Sequence, residues 1–203
     1  MAGHVMERVQ ARTGDHSRIL ASLVFVGITA ASAQITIPLG FTPVPITLQV
    51  FAVLLSGLVL GSRWGAVSQM QYLALGALGL PMFAGWSGGP AAFLSASGGY
   101  LIGFVPAAYI TGWIFESTKS RSRTGAWLAG MTGVCAIHLF GASWLSVWLA
   151  MFTSSDVTLR AVWLAGVAPF IGVDLLKALA ASGLAVGSRA GYDLIRSLGV
   201  SER

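Results

Sequence analysis

Long apolar stretches separated by short polar runs organise this chain. There are 44 uncharged residues between Arg18 and Arg63, 52 between Arg63 and Glu116, and 32 between Arg123 and Asp156. A helix needs about 20 mostly apolar residues to cross hydrocarbon, so these windows predict two, two and one spans. The stretch from Arg160 to Arg189 is apolar apart from Asp174 and Lys177 and predicts a sixth.

Helix breakers divide the windows. Pro38, Gly40, Pro43 and Pro45 end helix 1 near Ile37 and start helix 2 near Ile46, because proline is excluded from helix interiors but accepted in a first turn. Arg63 separates helix 2 from helix 3, which runs from Trp64 to about Pro81. The run Ala84-Gly85-Trp86-Ser87-Gly88-Gly89-Pro90 reads as a long loop before helix 4, Gly98 to Glu116. Helix 5 is expected from Trp127 to Met151. Pro169 starts helix 6 and leaves a second long loop, 152–168, with room for a short amphipathic piece around Trp163.

Composition agrees with burial in lipid. The chain is 55% hydrophobic and 9% charged, with 26 Gly and 7 Trp, and its mean hydropathy is +0.77. A soluble surface requires about a quarter of residues charged, so a soluble enzyme, a nucleic-acid binder and a disordered chain are all excluded. The net charge of +5 then becomes a topology signal. Ten basic residues (Arg8, Arg12, Arg18, Arg63, Lys119, Arg121, Arg123, Arg189, Arg196, Arg203) fall on one side of a six-span arrangement and Arg160 alone on the other. Basic residues favour the cytoplasmic side, so both termini are expected there. The expected organisation is a cytoplasmic tail over 1–18, a six-helix membrane domain over 19–190 and a cytoplasmic tail over 191–203. The segment from Arg18 to Ala33 also has the outline of a signal peptide. Its apolar run continues unbroken to Ile37, which favours an uncleaved helix. Cys135, the single cysteine, is expected as a small packing residue.

Candidate chemistry lies where polar groups interrupt apolar helices. Ionisable residues inside a span are costly and usually face the bundle interior. Asp174 and Lys177 are three apart and share a helix face. Counted from Pro169 at about 1.5 Å per residue they lie roughly 8 and 12 Å below the helix end, at pocket depth. They are either a self-neutralising pair or a divided site, the carboxylate accepting from N–H donors while the ammonium meets an anion. Gln69, Gln71 and Tyr72 in helix 3, and Thr47 and Gln49 at the top of helix 2, either bond between helices or line a site. Gly85-Trp86-Ser87-Gly88 matches the Gly-x-Ser-Gly pattern of intramembrane serine proteases, with His138 as a conceivable base, although His138 reads better as a packing donor. His4 and His16 belong to the polar tail. No phosphate loop, metal-ligand spacing or heptad repeat is present, so no metal or cofactor is expected.

Four strings in order carry a family resemblance: Pro43-Val44-Pro45-Ile46-Thr47-Leu48-Gln49, then 75–85 (LGALGLPMFAG), then Gly98-Gly99-Tyr100-Leu101-Ile102-Gly103-Phe104, then Asp174-Leu175-Leu176-Lys177. Over residues 19 to 190 the chain resembles the biotin-binding S component of energy-coupling factor (ECF) transporters, the BioY family. The resemblance implies an all-α integral membrane protein, a six-helix bundle that captures biotin from outside. It implies as partners a transmembrane coupling subunit and two cytoplasmic ATPases, and no catalytic residue of its own. Biotin carries two ureido N–H donors, a C=O acceptor, an apolar thioether ring and a carboxylate, which suits an apolar pocket with few polar groups. The implied ligand-binding set is Asp174, Lys177, Tyr100, Phe83, Trp86, Gln71, Gly98, Gly99 and Gln49. Helix 1 carries small residues, Gly27, Ala30 and Ala31, at spacings that let another helix approach closely; in the family such a face docks the coupling subunit, and packing inside the bundle is the other reading. The chain departs from the family pattern at Ser95-Ala96-Ser97, where Gly-Pro-Thr is usual, and its loop from Met82 to Ser97 has no Arg, Lys or Asn. An S component for another small vitamin, and the protease, are the alternatives.

Overall fold

A computed structural model describes residues 2–118, 122–152 and 157–187, with side chains from residue 16 onward. Lys119, Arg121, Arg189, Arg196, Arg203 and the expected C-terminal tail lie outside the described residues, as do the side chains of His4, Arg8 and Arg12.

Helix α1 spans Ala2–Gln34, so it starts well before the apolar run and stops three residues short of Ile37. The stop has a local cause: Ile35, Thr36 and Ile37 are β-branched, and Ile37 precedes Pro38, which disfavours helical backbone there. The chain instead makes a two-residue ladder. Strand β1 (Thr36–Ile37) pairs antiparallel with β2 (Ile46–Thr47), Thr36 opposite Thr47 and Ile37 opposite Ile46. The proline-rich turn between them is thereby closed.

Helix α2, Gln49–Ala77, is continuous by its bounds but doubles back at Gly61, whose φ of 80° and ψ of 178° only glycine adopts without strain. In a straight helix residues eight apart stand about 12 Å apart; here a methyl group added at Gly65 would lie 2.8 Å from Gly57 Cα. The Gln49 amide likewise reaches the Tyr72 hydroxyl at 2.8 Å, across what would be about 34 Å of straight helix. Helices 2 and 3 of the sequence reading are these two antiparallel passes, and the turn lies at Gly61 rather than at Arg63. Glu116 fixes the turn by accepting from the Ser62 amide at 3.0 Å and from the Ser62 hydroxyl at 2.8 Å. Buried Gln69 ties the passes to α1 through Ser56 (3.2 Å) and Thr29 (3.3 Å).

Two 3-10 turns, Ala84–Trp86 and Pro90–Leu94, shape the strap that leads to α3, Gly98–Ser117. Helix α4 is Arg123–Phe152. The short helix α5, Leu159–Gly166, is the amphipathic piece expected around Trp163, capped by Thr158 Oγ1, which accepts from the Ala161 amide at 3.2 Å. Helix α6 is Ala168–Gly187. Among the described residues five helices are long and apolar enough to cross a membrane, α2 over 29 residues; its doubling back makes two passes of that one.

Helix α3 is wedged between α2 and α4 by small residues. Side chains at Gly57 or Gly112 would strike the facing backbone at Ala108 and Ser62, and one at Gly99 would strike Trp144. Interfaces of this kind are how helices associate where lipid supplies no hydrophobic drive. Cys135 does not pack inside; it is exposed on α4.

Candidate functional site

A cavity of about 410 Å³ opens among the first turns of α2 and α3, the middle of α4, the first half of α6 and the strap, within the ~300–1,000 Å³ of small-molecule sites. Its polar floor is a three-residue cluster. Asp174 on α6 accepts from Lys177 Nζ at Oδ1, 2.8 Å, and meets His138 Nε2 of α4 at Oδ2, 2.9 Å. Exposures are 2% for Asp174, 7% for Lys177 and 9% for His138. With an ionised carboxylate, which can only accept, the donor in this contact is His138 Nε2. The His138 Nδ1 atom has no hydrogen-bond partner. Each Asp174 oxygen retains lone-pair capacity and Lys177 retains two N–H bonds, so the cluster can both accept from and donate to a ligand.

The walls are aromatic and aliphatic. Tyr100 on α3 stands edge-on to His138 at 6.2 Å and tilted to Phe170 at 6.4 Å, and its hydroxyl donates to the Gly166 carbonyl at 2.7 Å, joining α3 to the end of α5. Gly141 and Gly166 leave the space this ring occupies. Phe83, 2% exposed, packs its ring on Gly76 and edge-on to Tyr72 at 5.4 Å. Gln49 sits in a relay: Thr47 Oγ1 donates to Gln49 Oε1 (3.0 Å), Gln49 Nε2 to Tyr72 Oη (2.8 Å), and Tyr72 Oη to the Met82 carbonyl (3.0 Å). Bonds aligned in this way strengthen one another in a low-dielectric interior.

Of the nine residues proposed for the ligand, Asp174, Lys177, Tyr100, Phe83 and Gln49 lie together on the cavity wall. Trp86 is 70% exposed and stands outside it. Gln71 is off the wall, although it adjoins Tyr72 in the chain, and Gly98 and Gly99 serve close packing against Phe93 and Trp144. His138 reaches the wall from a position that reads as helix packing; the available signal was a lone imidazole in a 32-residue uncharged window. The Ser87 hydroxyl donates to the Ala84 carbonyl at 2.9 Å while His138 Nε2 is engaged with Asp174. That geometry does not make a nucleophile and its base. On α1, Gly27 and Ala31 face outward, Gly27 with nothing within 4 Å of an added methyl, whereas Ala30 is half-buried against the core.

Residues 6–193 match the family model described as the BioY family. The chain belongs to the BioY family. It is 44% identical over 158 residues to a BioY protein of Pyrococcus horikoshii, covering 78% of this chain and 87% of that one. It is 36% identical over 171 residues to the biotin transporter BioY of Thermotoga maritima, covering 83% and 94%. The fold superposes on the crystal structure of the S-component for biotin from an ECF-type ABC transporter with a TM-score of 0.74 and 29% identity, over 84% of this chain and 89% of that one. BioY membership accounts for the multi-pass helical architecture and places the Asp174–Lys177 cavity in a family of transport proteins.

Proposed function

We propose that the chain is the substrate-specific subunit of a biotin importer, holding biotin in the cavity floored by Asp174, Lys177 and His138. The observation that carries this is a buried acceptor and a buried donor, side by side, in a mostly apolar cavity, in a chain whose relatives are named for biotin. Asp174 suits a ureido N–H, Lys177 suits a carbonyl or carboxylate oxygen, and Tyr100, Phe83 and Phe170 suit the thioether ring and aliphatic tail. Gln49 adds a neutral polar group on the α2 side of the cavity.

The binding step requires no catalytic residue, and ATP hydrolysis is assigned to partners: a transmembrane coupling subunit and two cytoplasmic ATPases. Gly27 and Ala31, with Ala30 at the edge, form the face of α1 proposed to dock the coupling subunit. The protein is assigned to the cell membrane with both termini cytoplasmic, so that the cavity opens outward. Support comes from the placement of charge: the Gly61 turn, with Arg63 and Glu116, lies at the opposite end of the first α2 pass from the cavity residues Thr47, Gln49 and Val50. Cells without biotin uptake of their own, expressing this chain with a coupling module, are expected to accumulate labelled biotin. Accumulation no greater than with the coupling module alone contradicts the reading.

A further inference from the structure

One side chain grips the outer strap from both ends of its carboxamide. Gln34, the last residue of α1, donates from Nε2 to the Phe83 carbonyl at 3.1 Å and to the Ala30 carbonyl at 3.2 Å, and its Oε1 accepts from the Trp86 amide at 3.0 Å. Phe83 belongs to the cavity wall, as do Ala84, Ser87 and Gly88 around Trp86. The strap closes on itself through the Phe83 amide, which donates to the Ser87 carbonyl at 2.9 Å.

The backbone at this grip is strained. Trp86 has a φ of 59°, the one positive value at a non-glycine among the described residues, and it follows Gly85 at 69°. A bulky side chain rarely adopts this region, and it persists only where the surroundings over-determine it. The Trp86 side chain is 70% exposed, so packing of the ring does not hold it; the bonds that bracket the turn are the Trp86 amide on Gln34 and the Phe83 amide on the Ser87 carbonyl. At its beginning the strap is anchored separately, by Tyr72 on the Met82 carbonyl.

We propose that Gln34 is a positioning residue for ligand retention: its carboxamide latches the 83–87 strap against the cavity and thereby sets how fast a bound ligand leaves. Loss of the carboxamide frees the Phe83 carbonyl and lets Trp86 relax toward negative φ, which moves a wall segment without touching the Asp174 cluster. For its ligand the proposal rests on the biotin reading; for the latch it rests on the strap geometry.

Two measurements separate these. In ligand-free protein, Gln34→Ala is expected to accelerate amide hydrogen exchange across 83–87 by about tenfold while exchange in α6 stays at the parental rate, the signature of local opening. Biotin dissociation from the same variant is expected to be about tenfold faster, the order set by losing two to three hydrogen bonds, with a smaller change in association. In a Trp86→Gly background the effect of Gln34→Ala on dissociation is expected to shrink, because glycine holds positive φ without strain. Gln34→Glu, which keeps the acceptor for Trp86 but sets an acceptor-only carboxylate oxygen against the Phe83 and Ala30 carbonyls, is expected to accelerate exchange and dissociation at least as much as alanine, and it decides the matter should the alanine variant not fold. Unchanged exchange and dissociation, or acceleration spread equally through α6, overturns the latch. Parent protein that binds no biotin overturns the ligand reading, and the exchange arm still decides the latch.

Discussion

His138 on α4 and Asp174 on α6 meet at 2.9 Å, Nε2 to Oδ2, and this contact leaves neither carboxylate oxygen of Asp174 without a donor. An imidazole that only filled space would tolerate an apolar replacement. Here His138→Leu is expected to weaken biotin binding about tenfold or more, the scale of one hydrogen bond to a charged group at ~1.5–3 kcal/mol. His138→Gln, which keeps an N–H donor, is expected to lose less. Equilibrium dialysis with labelled biotin reads both, and parental affinity in His138→Leu returns His138 to packing.

Asp174 and Lys177 admit a sharper separation of structure from binding. Each single change, Asp174→Asn or Lys177→Met, leaves its partner charge buried without compensation and is expected to lower thermal stability; removing one member of a buried pair typically costs ~3–5 kcal/mol. The double variant is expected to recover stability and still bind biotin poorly. A thermal-shift series with parallel binding measurements checks it. A stable double variant with parental affinity removes both residues from the site and leaves the strap and the Gln49 relay.

Orientation is tested by labelling. In a Cys135→Ala background, a cysteine at Ser122, in the turn between α3 and α4, is expected to be shielded from an impermeant thiol reagent in intact cells. A cysteine at Leu159, 90% exposed at the start of α5, is expected to react. The reverse pattern places the termini and the cavity on the other sides.

Ala31 is exposed on α1 and Gly27, one turn earlier, has open space above it. Ala31→Trp is therefore expected to fold and bind biotin as the parent does, yet to lose copurification with the coupling subunit, since close helix approach tolerates only small side chains. Full recovery of partner with the variant shows that α1 docks nothing there.

The spans, the Asp174–Lys177 pair and the amphipathic piece at Trp163 were legible in the sequence because hydropathy windows, an intramembrane charge and a short apolar face are local properties. The α2 turn was misplaced by two residues for a physical reason. A charge such as Arg63 marks where the chain meets water, whereas the reversal needs positive φ, and Gly61 supplies it. His138 was not legible as a site residue, since its partner lies 36 positions away and the meeting depends on how α4 and α6 rotate. Trp86 shows the opposite error of scale: an aromatic in a ligand-side loop looks like a wall, but the left-handed turn at Gly85 and Trp86 goes with an exposed ring and gives only the backbone amide to Gln34. Gly98 and Gly99 sit in a motif beside the cavity and yet are used for close packing, Gly98 against the strap at Phe93 and Gly99 against α4 at Trp144.

Biotin capture is tested most directly by equilibrium binding to the purified protein in detergent, with thiamin and riboflavin as competitors. The account predicts saturable binding of labelled biotin, displaced by unlabelled biotin and by neither other vitamin. Binding of thiamin or riboflavin with biotin inert contradicts it.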